Sequence, residues 1–200
     1  MRLEEVDFVA VDLETTGLDL KRDEIIAFAA IPIRGMRIMA GDAFYTTLCP
    51  NTYKLQSMKY HGISAEDVEG APRFAELAQS LLSTLDGMMV GFGIEIDHRF
   101  LQRFFGKEGI EFSRELVDIA AIENGLIRCR RARRFDERLS FDVLLNRYGL
   151  KESYRHDALA DAFFSAQIFQ MQFMRHGIQT LEELMDLMRP DDVTECAFML

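Results

Sequence analysis

Phe8-Val9-Ala10-Val11-Asp12-Leu13-Glu14-Thr15-Thr16-Gly17-Leu18 decides how this chain folds. Val9, Val11 and Leu13 fall on one side of an extended backbone, and Phe8, Ala10 and Asp12 on the other. That alternation predicts a β-strand over Asp7 to Leu13. Both rows are largely apolar, as in a strand covered on both faces. Asp12 and Glu14 are two residues apart, so their carboxylates leave by the same face, the one carrying Phe8 and Ala10. Two carboxylates at the end of a buried strand are costly unless a cation or a hydrogen-bond network compensates them. Hard oxygen ligands of this kind suit Mg²⁺ or Mn²⁺. If the strand ends near Val11, both carboxylates are simply solvated, and an isolated D-x-E does not separate the two cases.

Downstream, Asp19 to Asp23 is a polar turn. Glu24 to Ile33 and Met36 to Leu48 are predicted as strands, joined at Arg34-Gly35 and therefore antiparallel. Arg73 to Leu85 has helical spacing, with Pro72 near its start. Met88 to Phe92 is a short apolar strand, and Asp97 to Phe105 is helical. Leu116 to Ala121 is either a buried strand or a helix start. Leu139 to Tyr148 is a helix stopped by Gly149. Ala158 to Met174 is a long amphipathic helix. Thr180 and Glu183 make a capping-box pair for a last helix, to Met188, with Pro190 beyond it. Strands first, then strands alternating with helices, imply an α/β layer with a mixed sheet.

The chain has 200 residues, 48% of them hydrophobic, which fits one domain with a sizeable core. Its longest apolar stretch, Ile25 to Ile33, is too short to cross a bilayer. The N-terminus lacks the order of a signal peptide, so a soluble cytoplasmic protein is expected, with no membrane association. Cys49, Cys129 and Cys196 are scattered, with no CxxC pair, and are expected to be unpaired thiols. A net charge of -10 argues against nonspecific coating of nucleic acid. It leaves room for an enzyme that holds one strand end on local positive charge.

Two further segments carry chemistry. In Met89-Val90-Gly91-Phe92-Gly93-Ile94-Glu95-Ile96-Asp97, a strand runs through glycines into a helix near Asp97. Taken alone, Asp97 reads first as a helix cap. In Tyr154-Arg155-His156-Asp157-Ala158-Leu159-Ala160-Asp161, Asp161 lies one helical turn beyond Asp157, which suits the N-cap. His156 then sits on the loop, where a histidine can take a proton from water near neutral pH.

D-x-E followed by T-T-G-L, then an Asp at a mid-chain helix, then H-x-x-x-x-D, resembles the DEDDh exonucleases, the DnaQ-like relatives of the bacterial proofreading epsilon subunit. The likeness covers about residues 6 to 175. It implies an RNase H-like mixed β-sheet flanked by helices. It implies an exonuclease domain over residues 1–178, with the helix and tail of 179–200 in the same domain. The family's catalytic positions fall on Asp12, Glu14, Asp97, His156 and Asp161, and the four carboxylates among them would hold two divalent ions, Mg²⁺ or Mn²⁺. Thr15, Thr16, Gly17 and Leu18 match the turn that lies against the terminal nucleotide. His61-Gly62-Ile63-Ser64 resembles the H-G-I-[ST] segment that helps bind that end, which puts His61 and Ile63 with the substrate. Relatives often carry His-Asn-Ala where this chain has Phe92-Gly93-Ile94, so a side-chain amide is missing at Gly93. That departure bears on substrate preference and leaves Asp97 in place.

The resemblance implies a metal-dependent 3′→5′ exonuclease that releases nucleoside 5′-monophosphates from single-stranded or frayed DNA, with His156 as general base. RNA or oligoribonucleotide ends are the alternative substrate, since the 2′-hydroxyl is recognised by geometry. A catalytically silent nucleic-acid-binding module is the rival from another class, and clustered carboxylates argue against it. A homodimer or a polymerase partner is compatible with the sequence. Arg128, Arg130, Arg131, Arg133, Arg134 and Arg138 form either a phosphate track or a solvated helix face paired with Asp136 and Glu137.

Overall fold

A computed structural model of the chain describes residues 1–131, 139–151 and 156–189. Its elements run β1 (Phe8–Thr15), β2 (Ile25–Arg34), β3 (Arg37–Ile38), β4 (Phe44–Thr47), α1 (Met58–His61), α2 (Ala65–Val68), α3 (Phe74–Thr84), β5 (Met88–Gly91), α4 (Glu95–Lys107), β6 (Leu116–Asp118), α5 (Ile119–Arg131), α6 (Phe141–Tyr148), α7 (Ala158–His176) and α8 (Leu181–Met188). The sheet order is β3-β2-β1-β5-β6, with β4 also on β2. β1 pairs antiparallel with β2 and parallel with β5, and β5 pairs parallel with β6. The predicted mixed sheet is therefore present, and helices cover both of its faces.

The two rows of β1 separate as the alternation requires. Phe8 and Ala10 face a core with α5, α6, α7 and α8, where the Phe8 and Phe169 rings meet edge to face at 5.0 Å. Val9, Val11 and Leu13 face a second core with α3 and α4, built around Phe74, Phe104 and Phe105. Asp12 and Glu14 thus emerge on the α7 side. The β1–β2 register shifts between Glu14 and Thr15, where Ile26 is the extra residue on β2. Bulges re-aim side chains, and this one lies beside Glu14.

One expected strand is interrupted. Met36 to Leu48 is broken by a 3₁₀ turn at Ala40–Asp42, where Gly41 and Asp42 favour a bend. The doubtful Leu116 to Ala121 segment is both things at once: β6 runs straight into α5. Asp157 is the N-cap of α7, accepting the Ala160 N–H at 2.9 Å. Thr180 and Glu183 form the expected capping box of α8. A Cβ at Gly125 would lie 2.2 Å from the Leu187 carbonyl oxygen, so glycine lets α5 and α8 approach closely. Cys49 is a free thiol, as expected. Among the described residues no helix is long and apolar enough to cross a membrane.

Arg128 donates to the carbonyls of Leu187 (3.1 Å) and Arg189 (2.9 Å). It therefore serves the C-terminal end of α8, where cations are favoured. Arg133, Arg134 and Arg138, with Asp136 and Glu137, lie outside the described residues, as do Tyr154, Arg155, Pro190 and Cys196.

Candidate active site

The polar ends of β1, α7 and α4 converge where the sheet stops. One carboxylate oxygen from each of Asp12, Glu14 and Asp161 lies within 4.8 Å of the others. Asp12 and Glu14 are half-buried on the α7 side of β1, and Asp161 is buried in the first turn of α7. The helix N-terminus favours negative charge at Asp161. Three carboxylates this close repel one another. Asp161 Oδ2 accepts the His156 backbone N–H at 3.2 Å.

Asp97 comes from the opposite layer and stands outside that group of three. Helix α4 opens at Glu95, with Ile94 as an N-cap that makes no side-chain bond, so Asp97 is not the cap. Its enclosed carboxyl is pushed up to about 7 by burial and by the nearby Asp118, against hydrogen bonds from its own N–H and that of Leu13. The Leu13 contact places Asp97 against β1 between the two metal-type carboxylates of that strand. Gly93, just before α4, has φ +63°, a left-handed conformation that glycine and asparagine tolerate best. That explains how glycine replaces the family's asparagine at this turn.

A cleft of about 740 Å³ reaches the three carboxylates at Glu14, which lines it. One wall is Leu13 to Leu18, and the other is Lys54 to His61 together with His156. Thr15 Oγ1 donates to the Gly17 carbonyl at 2.8 Å and closes the turn. Leu18 projects into solvent at the cleft rim. His61 is buried, and its Nδ1 accepts the Ile63 N–H at 3.0 Å. Burial, then the neighbouring His156, hold its pKa below the ordinary histidine value. The neutral ring therefore carries its proton on Nε2, which has no hydrogen-bond partner among the described residues. Ile63 does not line the cleft; it packs against the α7-side core, and its carbonyl accepts the Tyr53 hydroxyl at 2.6 Å.

Residues 9–169 match the exonuclease family RNase_T. The chain belongs to that exonuclease family. A PolC-type DNA polymerase III from Thermotoga maritima is 32% identical over 193 residues, covering 94% of this exonuclease but only 14% of the polymerase. The chain thus spans about one-seventh of the PolC-type relatives it matches. A DNA polymerase III epsilon subunit from Aquifex aeolicus is 27% identical over 180 residues, covering 88% of this chain and 81% of the subunit. Among solved structures, E. coli Exonuclease I in complex with a dT13 oligonucleotide superposes with a TM-score of 0.71 at 17% identity, over 86% of this chain and 42% of that one. Cell-death related nuclease 4 gives 0.70 at 20% identity, over 86% and 64%. These two likenesses concern the fold.

Three residues of this exonuclease domain escaped the sequence reading. Asp118 ends β6, accepts the Ala120 N–H at 2.8 Å, and is raised in pKa by burial. The rule that singled out Asp12, a carboxylate at the end of a buried strand, applies equally to Asp118. Tyr45 on β4 is raised in pKa by burial and by the charges of Asp157, Glu14 and Asp67, so it stands close to the site. Lys54, on the second wall, has no local signal at all.

The raised Asp97 has a measurable consequence in the metal-free protein. A carboxyl whose folded pKa exceeds its ordinary 3.8 binds more protons folded than unfolded. Its contribution to stability is present below about 4 and is lost as pH rises through about 7. In EDTA, the melting temperature should fall from about pH 5 to about pH 8, and Asp97→Asn should flatten that fall. An equally steep fall in Asp97→Asn would assign it to other groups.

Proposed function

We propose that this chain is a metal-dependent 3′→5′ exonuclease that removes nucleotides singly from single-stranded or frayed DNA and releases nucleoside 5′-monophosphates. The carrying observation is the placement of Asp12, Glu14 and Asp161, within 4.8 Å of one another, beside a cleft of about 740 Å³. Clustered, partly buried carboxylates fit hard divalent cations, and strand binding alone does not need them. Asp12, Glu14, Asp97 and Asp161 would hold two Mg²⁺ or Mn²⁺ ions. Bound ions of this kind activate water and stabilise a leaving oxygen.

The chain's own groups supply the rest. The Thr15–Leu18 turn receives the terminal nucleoside, with Leu18 against its base. His61 offers its Nε2 proton to an acceptor of that nucleotide. His156 takes the proton of the attacking water. Ile63 acts from beneath, by accepting Tyr53 and fixing His61. The domain is assigned to residues 1–178, and α8, which packs on α5, belongs to it. Polymerase relatives support a polymerase partner, and RNA ends remain the second substrate to assay.

The test uses 5′-labelled single-stranded DNA, duplex DNA, RNA and a circular single strand, in Mg²⁺ and in EDTA. Stepwise shortening of the linear DNA strand in Mg²⁺, none in EDTA, and an intact circle are expected. Activity that persists in EDTA removes the metal reading. A cut circle makes the enzyme an endonuclease, and faster loss of RNA changes the substrate.

A further inference from the structure

The second wall of the cleft contains no strand and hangs from two adjacent carboxylates. Glu24 Oε2 accepts the Asn51 backbone N–H and side-chain amide, both at 2.9 Å, and Oε1 accepts the Thr52 N–H at 3.1 Å. Asp23 pairs with Lys54. Asp23 is also bound to the first wall: Oδ1 accepts the Thr16 hydroxyl at 3.1 Å, and Oδ2 accepts the Asp19 N–H at 2.8 Å. It fits beneath the turn because residue 17 is glycine; a Cβ there would stand 2.4 Å from Asp23 Oδ2. The Asp23–Lys54 pair therefore joins the two walls.

The pair is lopsided. The Asp23 side chain is 4% exposed and that of Lys54 is 45% exposed. A buried carboxylate needs its cation, whereas an ammonium has three donors and gives Asp23 one of them. The rest of Lys54 lines the cleft, with Lys59 on the same wall. In a chain of net charge -10, these are the two lysines among the residues lining the cleft, and no arginine joins them. A side chain already held by Asp23 loses little freedom on meeting a ligand.

We propose that Lys54, held by buried Asp23, is a contact for a backbone phosphate of the bound strand. The assignment rests on the exonuclease reading above and adds a residue to it. It makes the junction of the walls part of substrate binding, since the lysine that braces the turn also meets the strand.

The experiment measures anisotropy of a labelled dT oligonucleotide with Ca²⁺ in place of Mg²⁺, as log Kd against log NaCl. Each phosphate contact on a single strand contributes a slope of about 0.7. Lys54→Met and Lys54→Gln should each reduce the parent slope by about 0.7, and Lys54→Arg should keep it. In Mg²⁺, KM for the strand should rise about tenfold in Lys54→Met while kcat changes less than about threefold. A purely structural lysine predicts the opposite pattern: an unchanged slope, with any loss following the melting temperature. That result, or a slope lost in Lys54→Arg as well, overturns the assignment. A parent that cuts the strand while Lys54→Met keeps its slope refutes this inference alone. A parent that neither binds nor cuts the strand removes both readings.

Discussion

Asp161→Asn should slow cleavage of a 5′-labelled single strand by roughly 10³-fold or more at saturating Mg²⁺, with no loss of melting temperature in EDTA. Asp161 is one of three carboxylates whose oxygens lie within 4.8 Å of one another, and it is the buried member. An amide keeps its size and removes its charge. Loss of one ligand forfeits several kcal/mol of transition-state stabilisation, which corresponds to about three decades in rate. Stability moves the other way, because the change relieves like-charge repulsion in the metal-free site. Asp12→Asn and Glu14→Gln should behave alike. Asp157→Asn is the control. Asp157 caps α7 through Ala160, and asparagine caps about as well as aspartate. Nearly full activity is expected from it. An active Asp161→Asn beside an inactive Asp157→Asn would exchange the roles of the two residues.

Those parts of the site that lie on regular elements were legible because their periodicity is local. Val9, Val11 and Leu13 against Phe8 and Ala10 gave β1 both of its cores, and the same count put Asp12 and Glu14 on one face. The spacing of Asp157 and Asp161 gave a cap and a carboxylate one turn into α7. What failed was either short or non-local. Helices α1 and α2 are four residues each, too short for a period to register. Asp97 belongs to a helix on the far layer, so its distance from the other three carboxylates depends on how α4 packs over Leu13. Asp23 lay within what read as a solvated turn. It is buried because Lys54, 31 residues on, supplies its charge partner. No window of sequence contains that pair.

His156→Gly should lower the single-turnover rate by about 10²–10⁴-fold, the usual range for losing a general base. The same change should leave the fold as stable or slightly more so. His156 has φ +61°, a conformation uncommon outside glycine, while its side chain is exposed and lines the cleft beside Glu14. Glycine occupies that region without a Cβ penalty, so the backbone gains from the change. A histidine kept only for structure would show the reverse, with stability lost and rate retained. The His156 N–H still reaches Asp161 Oδ2 in the glycine variant, since that bond is made by the backbone. Any loss of rate therefore belongs to the imidazole. The parent and His156→Gly should therefore also differ in how their rates depend on pH. Metal and strand binding should remain near parental, because the ring is not assigned to either. The decisive measurement is single-turnover cleavage against pH for both proteins at saturating Mg²⁺, with melting curves alongside. A glycine variant with the parental rate and pH profile would hand the proton to another group or to bulk hydroxide.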